Sequence, residues 1–304
     1  MPVTDHASTP RVIFLGGLGR SGTTLLERLL GESPGVTPLG EVVHLWARGV
    51  LAGESCGCGQ PFAACAFWRE VGERAFGGWS AGVAQRVLAL RATVDRTRRI
   101  PRITHPDLAE YVESYSRIYT AAAQVSGARV VIDSSKHASL ACCLAAGGLD
   151  VHVIQVVRDP RAVAHSWRRS VARPEDGAPM TRWGSLKTAL HWNAQNLALD
   201  TLAGRGAHVL RVRYEDLLAD PRATLTRLAA RLGLDTAFPF LTGATARLGP
   251  AHTASGNPMR FTVGAVELAR DDAWRSGLPR RHQRLVATLT RPLMSRYGYR
   301  EAAA

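Results

Sequence analysis

Residues 12–30 read VIFLGGLGRSGTTLLERLL. An apolar, β-branched run enters a glycine-rich turn, and a pattern of leucines at helical spacing leaves it. Glycine tolerates positive φ and lets backbone approach a ligand closely. The free N–H groups of such a turn and of the first helical turn converge on one point. That nest binds a phosphate or sulfate, with help from the helix dipole. Gly17 and Gly22 have the spacing of the Walker loop G-x-x-x-x-G-K-[ST], but Thr23 and Thr24 fill its last two places. The lysine that reaches the β- and γ-phosphates of a nucleoside triphosphate is therefore missing, which speaks against an ordinary ATPase or kinase. Arg20, two residues before Gly22, is a cation able to bridge one phosphate and the group attached to it.

Further strands are expected at Arg129–Ile132, Val151–Val157 and Ala207–Val212, with a short one at 36–40. Each precedes a polar loop and then a helical pattern. This alternation predicts an α/β fold, a P-loop-like parallel sheet flanked by helices. The stretch from about 46 to 126 is helical in pattern and poor in strand signals, so it reads as a helical insertion. The C-terminal part adds an amphipathic helix from Pro221 and a closing helix over about 279–297. Residues 1–304 are expected to form one domain.

A second anchor lies at 151–170, VHVIQVVRDPRAVAHSWRRS. Its near-continuous apolar run suits a buried parallel strand. Asp159 can cap the following helix, with Pro160 in its first position. Arg158 then sits at the carboxyl end of the strand, where open α/β sheets bind ligands. Ser166 lies eight residues on, and a guanidinium with a hydroxyl can hold a phosphate. At 209–234, VLRVRYEDLLADPRATLTRLAARLGL places Tyr214 after another strand.

The net charge of +13 and a pI near 10.5 favour acidic partners, whether nucleic acid, anionic membrane or a charged nucleotide. Arginine is abundant throughout, so many of these charges read as solvated helix faces. No helix-turn-helix, zinc-finger or RNA-binding motif supports a nucleic-acid partner. No apolar run is long enough for a membrane span, and the N-terminus lacks a signal-peptide core, so a cytoplasmic location is expected. Five cysteines, an odd number, argue against a disulfide framework. CGCGQPFAAC at 56–65 offers three thiolates without an evident fourth ligand, and no metal site is expected. Cys142 and Cys143 read as small core residues of a helix.

GRSGTTLL at 19–26 resembles the 5′-phosphosulfate loop of sulfotransferases that use 3′-phosphoadenosine-5′-phosphosulfate (PAPS), in which Lys or Arg precedes Ser-Gly-Thr-Thr. The resemblance implies that the loop from Gly19, with Arg20, Ser21, Gly22, Thr23 and Thr24, wraps the 5′-phosphate and sulfate. It implies that Arg158 and Ser166 hold the 3′-phosphate and that Tyr214 touches the adenosine. The product would be adenosine 3′,5′-bisphosphate, and the transfer itself would need no metal. Lys136, in VVIDSSKH at 130–137, matches a lysine near the sulfuryl group. Ser134 and Ser135 could bond the cofactor or cap the next helix, the cap being the stronger expectation for one of them.

Two residues compete as general base. Glu41, in TPLGEVVHL at 37–45, is similar in placement to the Gly-Glu pair of tyrosylprotein and related bacterial sulfotransferases. His137 is the rival, because cytosolic aryl and steroid enzymes use a histidine near a lysine; there it lies two positions on, here it is adjacent. Glu41 is favoured, and His44 reads as structural or acceptor-lining. HTASGNPMRF at 252–261 is similar to a loop that closes over the nucleotide, which would bring Arg260 to the 3′-phosphate and Asn257 to the site. The expected acceptor is a hydroxyl on a small molecule, glycan or lipid, with the helical insertion on the acceptor side. The rival readings are a magnesium-dependent P-loop kinase and a basic nucleic-acid-binding protein.

Overall fold

The computed structural model describes residues 9–100, 102–172, 177–235 and 237–299. Strand β1 (Arg11–Gly16) leads to helix α1 (Thr23–Gly31) and strand β2 (Val36–Pro38). Three helices follow, α2 (Ala66–Phe76), α3 (Ala81–Thr93) and α4 (Leu108–Ser126), after a π-helical stretch at Leu45–Leu51. Next come β3 (Val130–Lys136), α5 (Ala138–Ala146), β4 (Val151–Val157), α6 (Pro160–Arg168), α7 (Ser185–Ala203) and β5 (Val209–Arg213). The chain continues through α8 (Tyr214–Ala219) and α9 (Pro221–Leu232), then β6 (Leu241–Thr242), β7 (Thr245–Leu248) and β8 (Gly264–Glu267). Helices α10 (Trp274–Gly277) and α11 (Arg280–Arg296) end it.

Five strands form one parallel sheet in the order β2-β3-β1-β4-β5. The expected α/β architecture is what forms. Successive side chains of β1 point to opposite faces. Val12 and Phe14 join a core with α5, α7 and the helices of residues 46–126, whereas Ile13 and Leu15 join one with α1, α8 and α9. Both faces are covered, which explains the near-continuous apolar runs of β1 and β4. The segment 46–126 is helical as expected. It forms a layer on the sheet: Trp46, Trp68, Tyr111 and Tyr119 are fully buried in the same cluster as Phe14 and Val131.

Strands β6–β8 make a small antiparallel sheet that the sequence reading missed. They are two to four residues long, too short for alternation to register. Cys142 and Cys143 are buried in α5, as expected. Among the described residues no helix is long and apolar enough to cross a membrane.

Candidate active site

Central strand β1 has β3 on one side and β4 on the other, so the chain switches direction across it. Such a switch point opens a crevice at the carboxyl ends of the strands. The 17–22 turn leaves β1 there, Lys136 ends β3, Arg158 follows β4 and Tyr214 follows β5. Glu41 enters the same edge three residues after β2.

The turn is held in backbone shapes that glycine permits. Gly17 has φ 150°, and a Cβ there would stand 2.5 Å from the Val156 carbonyl oxygen. Gly22, at φ 93°, caps α1 in the left-handed region and offers no side-chain acceptor to the helix's first N–H groups. Those groups have no intrahelical partner, so an anion in the turn would serve as the cap. Ser21, Thr23 and Thr24 are buried around it. Trp167, from α6, donates its indole N–H to the Gly19 carbonyl at 2.9 Å and faces the Arg20 guanidinium, 5.5 Å from the ring centre.

A Cβ on Gly22 would collide with the Tyr214 ring. Gly22→Ala therefore carries a left-handed penalty of about 1–2 kcal/mol and displaces Tyr214. Binding of adenosine 3′,5′-bisphosphate, measured by calorimetry, is expected to weaken by at least about tenfold, the equivalent of 1.4 kcal/mol.

Arg158 joins the two anchors. One of its N–H groups donates to the Arg20 carbonyl at 3.0 Å, and another to Asp271 at 2.7 Å. Its guanidinium lies 4.7 Å from the centre of the Tyr214 ring. Asp159 caps α6 through the Arg161 N–H, with Pro160 first in the helix, as expected. Ser166 is half-buried two turns along α6. A cavity of about 310 Å³ opens here, lined by Arg158, Tyr214, Arg270, Asp271, Trp274 and Tyr299 among others.

Glu41 and Lys136 form an ion pair, each about seven-eighths buried. Lys136 adopts a left-handed φ of 71°, and its carbonyl accepts from Gln195. Burial pushes the Glu41 carboxyl up, but the charge of Lys136 outweighs it and holds the group below its ordinary 4.5. His44 Nε2 lies 3.6 Å from the second Glu41 oxygen. Burial, partly offset by Glu41, holds His44 below the usual imidazole range, so it is neutral at pH 7. His137 packs edge-on to His44, its ring centre 6.0 Å away, and is exposed. Burial lowers the Arg20 pKa, and the charge of Glu41 opposes that effect.

Glu27, which the sequence reading passed over as a helix residue, anchors this arrangement. It accepts the Gly40 N–H and the Ser134 hydroxyl, each at 2.7 Å, and burial raises its pKa to about 7. Ser134 and Ser135 do not cap α5. Ser135 bonds Asp133 and accepts the Val43 N–H at 2.9 Å. Strand β3 continues through Lys136, so His137 takes the cap position, without a side-chain bond. Asp133 also accepts from Tyr119 of α4 at 2.6 Å, which ties the helical layer to the strand beside Lys136.

Arg260 is placed otherwise than expected. It is 1% exposed and donates to the carbonyls of Ser55 and Thr253. Asn257 caps its own turn through the Met259 N–H. The loop instead runs beside Glu41: Glu41 donates its N–H to the Ala254 carbonyl at 2.8 Å, and a Cβ on Gly256 would lie 3.1 Å from the Glu41 carboxylate. A short glycine-containing loop gives no periodic signal from which the sequence could place it. Asp271 and Arg270 were missed for the same reason, since neither lies in a spaced motif; Trp167 lies in the second anchor, but nothing in the sequence shows that its indole meets Gly19.

The glycine turn lies at the head of a parallel sheet, with basic residues at the neighbouring strand ends, in an α/β protein. A model of the sulfotransferase family matches residues 10–238, and the chain belongs to that family of transferases. No curated protein matches the chain. Among solved structures, sulfotransferase STF1 from Mycobacterium tuberculosis is 18% identical, with a TM-score of 0.45, over 75% of this chain and 69% of that one. Sulfotransferase STF9 from Mycobacterium avium is 14% identical with a TM-score of 0.43, over 74% of this chain and 64% of that one. A sulfotransferase from Alicyclobacillus acidocaldarius is 15% identical with a TM-score of 0.39, over 94% and 96%.

Proposed function

We propose that this chain transfers a sulfuryl group from PAPS to the hydroxyl of a small-molecule, glycan or lipid acceptor, in the cytoplasm. One observation carries the reading. Arg158 bonds the Arg20 carbonyl, while Tyr214 packs on Gly22. Motifs more than 130 residues apart thus share one crevice.

The residues fit the nucleotide. The uncapped start of α1 accepts a 5′-phosphate and its attached sulfate, with Ser21, Thr23, Thr24 and Arg20 around them. The cavity beyond Tyr214 accepts the adenosine. Arg158 and Ser166 hold the 3′-phosphate, and Asp271 pairs with Arg158 at the edge of that subsite. Arg270, which lines the same cavity, is assigned the part first expected of Arg260. PAPS supplies a sulfuryl group activated by its phosphate leaving group.

Glu41 takes the acceptor proton. While Lys136 pairs with it, the carboxylate is ionised but a weak base. When Lys136 turns to the charge on the sulfuryl group, Glu41 gains basicity at the moment it is needed. The helical layer, tied to this end of the sheet through Asp133 and Tyr119, forms the acceptor side.

The low pKa has a measurable result. Activity requires ionised Glu41, so kcat/KM is lost only as pH falls through the folded value, below 4.5. The pH profile should be flat from about pH 5.5 to 7; an acid limb near 6.5 would contradict a Lys136-paired carboxylate as base. The functional test is incubation of labelled PAPS with metabolite extracts, followed by mass spectrometry. Products heavier by one sulfate are expected. Transfer of phosphate from ATP–Mg instead would favour the kinase reading.

A further inference from the structure

Cys56, Cys58, Cys65 and His252 bring their ligating atoms within 4.8 Å of one another. The fourth group that the cysteine spacing lacked arrives from 187 residues beyond Cys65. We propose that these four side chains form a structural zinc site, separate from the transfer chemistry.

The distances match a tetrahedron. Zn–S bonds of about 2.3 Å and Zn–N bonds of about 2.0–2.1 Å give edges of roughly 3.8 Å between sulfurs and roughly 3.6 Å from sulfur to nitrogen. Cys65 Sγ lies 3.6 Å from Cys56 Sγ and 3.8 Å from Cys58 Sγ. His252 Nδ1 lies 3.3 Å from Cys65 Sγ and 3.8 Å from Cys56 Sγ. A disulfide would need about 2.05 Å, and it would leave the third thiol unused. Three thiolates and one imidazole are the donor set of closed structural zinc sites. On binding, the three thiols give up their protons to solvent and His252 binds through Nδ1.

The surroundings suit a thiolate centre. Phe67 stacks on the His252 ring at 5.1 Å and 14°, fixing its plane. Cys56 and Cys65 are buried, which excludes water from half of the set. A Cβ on Gly57 would meet the Thr253 backbone, so the two loops lie in close contact.

The site's place in the fold gives it a purpose. Cys56, Cys58 and Cys65 open the helical layer. His252 lies two residues before Ala254, whose carbonyl accepts the Glu41 N–H. Gly57 also donates to the Thr253 carbonyl at 2.9 Å. A metal here staples the helical layer to the loop that holds Glu41.

The test is the metal content of the full-length protein from zinc-replete cells, by plasma mass spectrometry. About one zinc per chain is expected in the wild type and in Cys142→Ala, falling below about a tenth in Cys65→Ser. Because Cys65→Ser could unfold, cobalt exchange into the wild type provides an independent reading: a tetrahedral visible spectrum with a thiolate charge-transfer band, shifted in His252→Ala. Metal-free wild type with no tetrahedral cobalt spectrum would overturn the site. So would iron in place of zinc, or a cobalt spectrum unchanged by His252→Ala.

Discussion

Glu41→Gln is expected to lower turnover by about 10²–10⁴-fold, the usual contribution of a positioned general base. The substitution keeps the shape of the side chain and removes its ability to take a proton. Affinity for adenosine 3′,5′-bisphosphate should stay within about threefold, because Glu41 faces Lys136 and the 254–256 loop rather than Arg158 or Tyr214. The measurement is labelled sulfate transferred from PAPS to an acceptor fraction, alongside calorimetry with the product nucleotide. Full activity in the variant would remove Glu41 as base and turn attention to His137, which stands beside His44 on the same side. Loss of nucleotide affinity together with turnover would indicate a collapsed site instead.

Arg158→Ala should weaken adenosine 3′,5′-bisphosphate by about 10²–10³-fold, as expected when one partner of a desolvated charge pair is removed. The side chain is 8% exposed, so water screens it little. Its effect has two sources: the lost cation at the phosphate, and release of the Arg20 carbonyl to which it donates. Arg158→Lys restores charge without the planar fork and should recover only part of the affinity. Equal binding by wild type and Arg158→Ala in calorimetry would show that the cation faces no phosphate.

The parts of this molecule most legible in its sequence are those built on periodicity and special backbone positions. Four of the parallel strands are visible as apolar runs because both sheet faces are covered, whereas the polar end of β3, Asp133–Lys136, reads as loop. The glycine turn was visible because Gly17 and Gly22 hold positive φ where a Cβ would strike Val156 or Tyr214. Arg158 followed from the strand end and the Asp159–Pro160 helix start. What the sequence hid depends on which loops come into contact. Asp271 opposite Arg158, Glu27 beneath Gly40 and His252 beside three cysteines each come from distant chain. Arg260 is a different case: a basic residue in a polar loop reads as a phosphate ligand, and in the fold its guanidinium donates to the backbone carbonyls of Ser55 and Thr253.

The most direct measurement is a calorimetric comparison of adenosine 3′,5′-bisphosphate, adenosine 5′-monophosphate and ATP–Mg on the wild-type protein. If residues around Gly22 and Arg158 clasp opposite ends of one nucleotide, the bisphosphate binds at least about 10²-fold tighter than the monophosphate, and magnesium adds nothing. Equal affinity for the two adenosine phosphates, or a preference for ATP–Mg, would contradict it.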